Sequence, residues 1–306
     1  MKQLAYILTL ILALASCSHR QEAAPSDADS TVQAADTTLL RVAVMPAMSC
    51  LPLYYAAQSG LADSLGIHLE LLRHQAQLDI DTTILRHHAD IAFTDLIRAE
   101  RLAAKAAITP FLSCMEPLSL ISQKSKRVKR INQMQEQMIA ISRLSATDFW
   151  CDHILDSTHT SHDDIYRPQI NDVRLRSEMI RQGLIDAAIM GEPYATWMTV
   201  LGHRRLFENS AKHTRLYAWA ACDSLAESRQ QAFRCLLDSA TALLRSGQAD
   251  SVLLLGTMRS EYGLPAALDT IALPAPAPVT DIREEDREAA RAWLKRRAST
   301  KSIRHD

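Results

Sequence analysis

Metal binding or covalent catalysis in this chain would fall first to its histidines and cysteines: His87-His88, the stretch His159-Thr160-Ser161-His162-Asp163-Asp164, and six cysteines. The second histidine stretch offers imidazole and carboxylate groups close together. No compact four-ligand spacing accompanies it, so a solvated loop is expected there, with no metal and no other cofactor. The eight glycines form neither a phosphate-cradling GxxxxGK[ST] loop nor GxGxxG, and HExxH, CxxC and GxSxG are absent. The sequence therefore carries no positive sign of an enzyme. What remains is non-covalent recognition by hydroxyl and charged side chains, whose worth depends on the elements that hold them.

Those elements repeat. Asp90-Ile91-Ala92 through Ala99 reads like Asp186-Ala187-Ala188 through Ala195, with Asp and Ala at matching places 96 residues apart. Upstream, Val42-Ala43-Val44 breaks into Pro46-Ala47-Met48-Ser49, and Ile139-Ala140-Ile141 breaks into Arg143-Leu144-Ser145. Each is a β-type run, a small polar loop and an aromatic-bearing helix, so two similar α/β lobes with a cleft between them are expected.

Periodicity fills in the rest. Apolar strands are expected at 39–45, 67–72 and 89–94, with helices at 51–65, 81–87 and 95–107; this βαβαβα order predicts a parallel sheet covered by helices. Strand-like residues 108–123 leave the first lobe. The pattern restarts with a strand at 138–141, a helix capped by Ser145-Ala146-Thr147-Asp148, a strand at 165–170, a helix at 173–182 and a strand at 185–190. Pro193 stands where a helix can begin. Beyond about Tyr217 long helices are expected at 229–246 and 249–262, then a Pro-rich connector at 273–278 and a final helix at 281–297. Such a tail fits a chain that crosses to the second lobe and returns to finish the first.

The first residues bear on the compartment. Lys2 precedes an apolar run from Leu4 to Ala15, too short to span a bilayer, which needs about 20 apolar residues. With its charged start this fits a secretory signal. Leu14-Ala15-Ser16-Cys17 resembles a bacterial lipobox, and that resemblance implies that Cys17 becomes the acylated (palmitate-bearing) first residue of the mature chain. Residues 1–16 then form the signal peptide. Residues 17–38, poor in apolar groups, read as a lipidated flexible tether with a span of roughly 25 Å. Ser18 is compatible with outer-membrane sorting, and the choice of membrane stays open.

The formal net charge is −1, and removal of Lys2 with the signal makes it −2, so no basic field exists to hold nucleic acid. The one basic run, Lys124-Ser125-Lys126-Arg127-Val128-Lys129-Arg130, reads as a solvated turn between lobes. Apart from Cys17 there remain Cys50, Cys114, Cys151, Cys222 and Cys235. Their odd number leaves at least one unpaired in a monomer, and their spacing specifies no disulfide.

Leu40-Arg41-Val42-Ala43-Val44, followed by Leu51-Pro52-Leu53-Tyr54-Tyr55-Ala56-Ala57-Gln58-Ser59-Gly60-Leu61, resembles the opening of periplasmic solute-binding proteins of the nitrate, sulfonate, taurine and thiamine-precursor group. Ala89-Asp90-Ile91-Ala92, Gly183 to Ile189 and Glu192-Pro193-Tyr194-Ala195 are similar to that group's later signatures. The resemblance covers roughly residues 39–202. It implies an α/β, two-lobed type II periplasmic binding protein, each lobe a mainly parallel sheet flanked by helices. Lobe 1 would comprise 39–118 plus 215–306 and lobe 2 residues 119–214. It also implies a monomer, lipid-anchored on the periplasmic side of the envelope, that hands a small molecule to an ABC permease and its ATPase. Ala47-Met48-Ser49-Cys50 departs from any loop that would name the ligand. An envelope sensor, or an enzyme on the same scaffold, is the alternative.

In such an architecture ligands sit beyond the C-terminal ends of the strands, at helix N-termini. Ser49, Thr94, Ser142 and Ser145 are expected as hydrogen-bonding groups, Asp95, Glu192 and Arg143 as charged ones, and Tyr54 and Tyr194 as lid or stacking aromatics. Serines that merely cap helices, and aromatics that merely fill the core, are the competing roles. Two carboxylates facing one cation would favour an amine or amino-heterocycle over a simple anion.

Overall fold

A computed structural model describes residues 39–210 and 213–303. Cys17, the signal and the tether lie outside the described residues. In chain order, β1 (Leu39–Val44), α1 (Leu51–Ser59), α2 (Leu61–Ser64), β2 (His68–Arg73), α3 (Gln77–Leu85), β3 (Ile91–Asp95), α4 (Leu96–Leu102) and β4 (Ile108–Cys114) come first. Then follow β5 (Leu118–Ser122), β6 (Ile139–Ala140), α5 (Ala146–Ser157), α6 (Val173–Gln182), β7 (Ala187–Gly191), α7 (Tyr194–Val200) and β8 (Arg204–Glu208). The chain closes with β9 (Tyr217–Cys222), α8 (Glu227–Ser246), α9 (Ser251–Tyr262) and α10 (Glu284–Ile303).

Two sheets result, ordered β2-β1-β3-β9-β4 and β6-β7-β5-β8. Parallel pairing runs through the βαβ units, β1 with β2 and β3, and β6 with β7. The antiparallel pairings belong to the strands that carry the chain between sheets: β9 beside β3 and β4, and β5 beside β7 and β8. The chain leaves the first sheet between Cys114 and Leu118 and returns between Glu208 and Tyr217. These two short crossings set the strand ends of both sheets against one another.

Local chemistry accounts for several departures from the expected elements. The helix expected over 51–65 breaks at Gly60, whose φ of 73° is open to glycine but strained for other residues. α3 begins at Gln77 rather than Asp81; Ala76 offers no side-chain cap, so no start signal stood there. The strand expected at 165–170 reduces to single bridges, Met138 to Tyr166 and Ile141 to Gln169. β9 falls where the sequence pattern turns helical, and it occupies an interior place in the first sheet with four consecutive buried residues. A strand covered on both faces loses its alternation, which is why Tyr217-Ala-Trp-Ala-Ala-Cys222 carries no period-2 signal. The basic run follows β5 directly and belongs with the second sheet rather than between the lobes.

Trp219 on β9 is fully buried, 5.3 Å from Phe93 and 5.2 Å from Phe233 of α8 by ring centroids. α8 presents Phe233, Leu236, Leu237, Ala240 and Thr241 inward at helical spacing. α10 packs on α4, and its Trp293 Nε1 donates to Asp152 of α5 at 2.8 Å. The last helix thus touches elements of both sheets. Among the described residues no helix is long and apolar enough to cross a membrane.

Candidate functional site

Four loops at strand ends converge between the sheets. The first follows β1. Its backbone is held from the crossing segment: Glu116 accepts from Met48 N at 3.1 Å, Ser49 N at 2.9 Å and Ser49 Oγ at 2.7 Å. Burial pushes the Glu116 carboxyl up to about 7, opposed by the Ser49 and Met48 donors and reinforced by nearby Glu192. Gly191, the last residue of β7, leaves the space this carboxylate needs, since a Cβ there would lie 2.9 Å from Glu116 Oε1.

The second loop follows β3. Asp95 caps α4, accepting from Arg98 N at 3.0 Å, and its other oxygen lies 3.7 Å from Arg98 Nε. Burial raises its pKa to about 6 against the pull of Arg98 and of the Ala146 N–H at the start of α5. Thr94 is wholly buried and its Oγ1 has no hydrogen-bond partner.

The third loop precedes α5. Ser145 caps that helix, accepting from Thr147 N at 3.2 Å and donating to Ser142 O at 2.7 Å. Ser142 N donates to Thr147 Oγ1 at 2.9 Å. Arg143 is exposed, its Nη2 lying 3.5 Å from Arg167 O.

The fourth loop follows β7. Glu192 is wholly buried, accepting from Thr196 N at 2.9 Å and paired with Arg205 Nη2 at 2.7 Å. Tyr194 OH donates to Tyr262 O of α9 at 2.8 Å, and Arg174 Nη2 donates to Glu261 O, so α6 and α7 are latched to α9. Tyr54 lies in the apolar cluster of the first sheet, edge-on to Tyr262 at 5.8 Å.

Between these loops lies a cavity of about 30 Å³, bordered by Ala47, Phe93, Glu116, Thr147, Tyr194, Tyr217 and Arg176 among others. This is room for one or two water molecules. A space of this size does not hold an organic solute. A roomier apolar hollow of about 230 Å³, lined by residues such as Met48, Leu244, Leu254 and Leu268, offers almost no polar group to orient a ligand.

Of the nine residues expected to touch a ligand, Tyr194 borders the small cavity. Asp95, Ser142, Ser145 and Glu192 engage helix starts or arginines, and Ser49 holds Glu116. The two groups that dominate the cavity, Glu116 and Arg176, were not anticipated. Arg176 sits on α6 between buried Val173 and Ile180, at a position of that helix that faces the core. It is 4 % exposed, and neither its Nε nor its Nη1 has a hydrogen-bond partner. Burial lowers its pKa to about 10, with Tyr217 and Asp172 opposing, so it remains a cation at neutral pH. A charged residue on the apolar stripe of a helix was the signal available in the sequence.

The charge pattern therefore differs from the one the sequence led us to expect. Glu192 already has Arg205 and Asp95 already has Arg98. Arg143 does not face the cavity, and the cation that does is Arg176. The argument for an amine loses its premise. An arginine with two buried, unpartnered N–H groups can hold a carboxylate, sulfonate or similar anion.

Two α/β lobes joined by two crossings, with a cavity at facing strand ends, define the periplasmic-binding-protein fold. The chain belongs to the NMT1/THI5-like family, whose profile matches residues 47–214. Among solved structures it is similar to the alkanesulfonate-binding protein SsuA from Xanthomonas axonopodis pv. citri bound to MOPS, at 16 % identity and a TM-score of 0.71 over 86 % of this chain and 93 % of that one. The periplasmic aliphatic sulphonate binding protein SsuA from Escherichia coli is similar at 19 % identity and a TM-score of 0.67, covering 85 % and 88 %. The periplasmic nitrate-binding protein NrtA from Synechocystis PCC 6803 is similar at 11 % identity and a TM-score of 0.67, covering 81 % and 74 %. No curated protein matches the sequence.

Proposed function

We propose that this chain is the substrate-binding component of an ABC importer, anchored to the envelope membrane through acylated Cys17, and that it captures a small organic solute bearing an anionic group. The observation that carries the ligand class is Arg176, a buried cation in the interlobe cavity with unpartnered Nε and Nη1. An unpaired buried charge is costly, and a ligand anion would offset that cost in the closed state only. A ligand that favours the closed state in this way shifts the equilibrium toward it. Two of the structures named above are sulfonate-binding proteins, which agrees with an anionic head group. The solute's organic part would occupy space opened between Phe93, Tyr217 and Tyr194.

A thermal-shift screen of aliphatic sulfonates, carboxylates, amines and aminopyrimidines tests this, run on the wild type and on Arg176→Met. At one hundred times its dissociation constant a true ligand stabilises by about 2.7 kcal/mol, which is easily seen. The sulfonates or carboxylates should stabilise the wild type, and Arg176→Met should lose that response while melting no lower than the wild type without ligand. Strongest stabilisation by an amine lacking any anionic group, or an undiminished anion response in Arg176→Met, would overturn the reading.

A further inference from the structure

A second cavity, of about 220 Å³, opens at the end of the second sheet far along the chain from Arg176, lined by Gln123, Lys124, Arg127, Val128, Lys129, Gly202 and Arg204. Four of its seven lining residues are cationic and none is acidic, in a chain whose formal net charge is −1. The nearby carboxylate, Asp186, is already engaged by Lys126 Nζ at 2.6 Å and Met138 N at 2.7 Å. Lys124 Nζ donates to Leu201 O at 3.1 Å, whereas the side chains of Arg127, Lys129 and Arg204 have no ion pair among the described residues.

All four cationic side chains are exposed, but the backbone that carries them is held in place. Gln123 Oε1 caps the turn over Lys124–Lys126 by accepting from Ser125 N at 2.6 Å, and Arg127 closes that turn with a φ of 55°. Val128 is buried in the core of the second sheet, and Gln133 Oε1 accepts from both Lys129 N at 2.8 Å and Arg130 N at 3.1 Å. Arg204 stands on β8 in register with Ser122 of β5. Two guanidinium and two ammonium groups thus border one concavity from a held backbone, facing water but gathered on one side.

We infer that this cavity is a binding site for a phosphate group. Guanidinium forks match phosphate oxygens bidentately, and the two lysines add point charge. A single carboxylate would leave most of the four cations uncompensated. The phosphate can come from a soluble phosphate-bearing molecule or from the head group of an anionic phospholipid. In the second case the site would hold the second lobe toward a membrane surface.

The test uses residues 18–306, which keep the whole described fold and carry no lipid. Inorganic phosphate is titrated with backbone amide NMR as the readout, and partition is measured onto vesicles of pure phosphatidylcholine and of phosphatidylcholine with 30 % phosphatidylglycerol. The double variant Arg127→Asn/Lys129→Ala is run beside Arg204→Ala; asparagine tolerates the left-handed conformation at 127, and unchanged urea midpoints report intact folds. Saturable shifts confined to 123–130 and 202–204, lost in the variants, support the site. Binding to the anionic vesicles alone, falling about fivefold per charge removed and weakening with salt, assigns the source to the lipid. Phosphate binding without vesicle binding assigns it to a soluble molecule. Absence of both, or binding that survives the substitutions, overturns the inference.

Discussion

Glu116 gives the fold a stability that should fall as pH rises. Its carboxyl titrates near 7 in place of the usual 4.5, because burial outweighs three hydrogen bonds that favour the ionised form. A raised carboxyl contributes stability that is fully present below pH 4.5 and is lost as pH climbs through 7. Each pH unit of displacement is worth about 1.4 kcal/mol, so ionising Glu116 removes about 3 kcal/mol. Asp95, raised to about 6, has the same sign over a lower window. The histidines at 74, 153 and 203 oppose it: burial lowers their pKa, so they destabilise as pH falls. The measurement must therefore be a difference. Urea unfolding at pH 5, 6, 7 and 8.5 is compared for wild type and Glu116→Gln, which keeps the shape and cannot ionise. Whatever the amide costs at the Met48 and Ser49 donors is independent of pH and cancels. The gap between the two proteins should move by about 2.5 kcal/mol toward the variant between pH 5 and pH 8.5. Curves that stay parallel would show that Glu116 is not desolvated as the closed cavity requires, and would refute the reasoning.

Two further outcomes follow from single residues. Cys17→Ser should abolish incorporation of labelled palmitate; retained label would remove the anchor. Gly191→Ala should push Glu116 Oε1 off its donors and destabilise by about 1–3 kcal/mol, read as a lower urea midpoint at pH 7. A midpoint equal to wild type would mean that the Glu116 side chain moves aside freely.

The parts of this architecture that repeat were legible in the sequence, because a β-run, a polar loop and a helix recur on the scale of ten residues. β1, β3, β7 and their helices announce themselves that way. β9 does not: in an interior place of its sheet it is covered on both faces, and Ala218, Ala220 and Ala221 are small because their neighbours are close. Its pairing partners are more than a hundred residues upstream, and no local pattern encodes them. The candidate site was legible only as a set of loops. Serines and carboxylates at helix starts look alike whether they face a ligand or their own backbone, and here Ser145 and Asp95 cap their helices.

That ambiguity decides how charge in the cleft should be weighed. A carboxylate at a strand end invites a cationic ligand only if nothing else neutralises it; tertiary pairing supplied Arg205 to Glu192, while Asp95 has Arg98 one helical turn on, shared with Asp81. The Glu192 partnership cannot be seen from spacing. Arg176 is the opposite case: placed on the buried stripe of α6, it is 4 % exposed, and Asp172 of its own helix cap is engaged with Arg174 N and Leu175 N. Protein folds seldom keep a buried cation without a partner unless something outside the chain completes it. Glu192 is matched by Arg205 and Glu116 by three hydrogen-bond donors, so under the proposed reading Arg176 is the charged group of the cleft left for a ligand's anion.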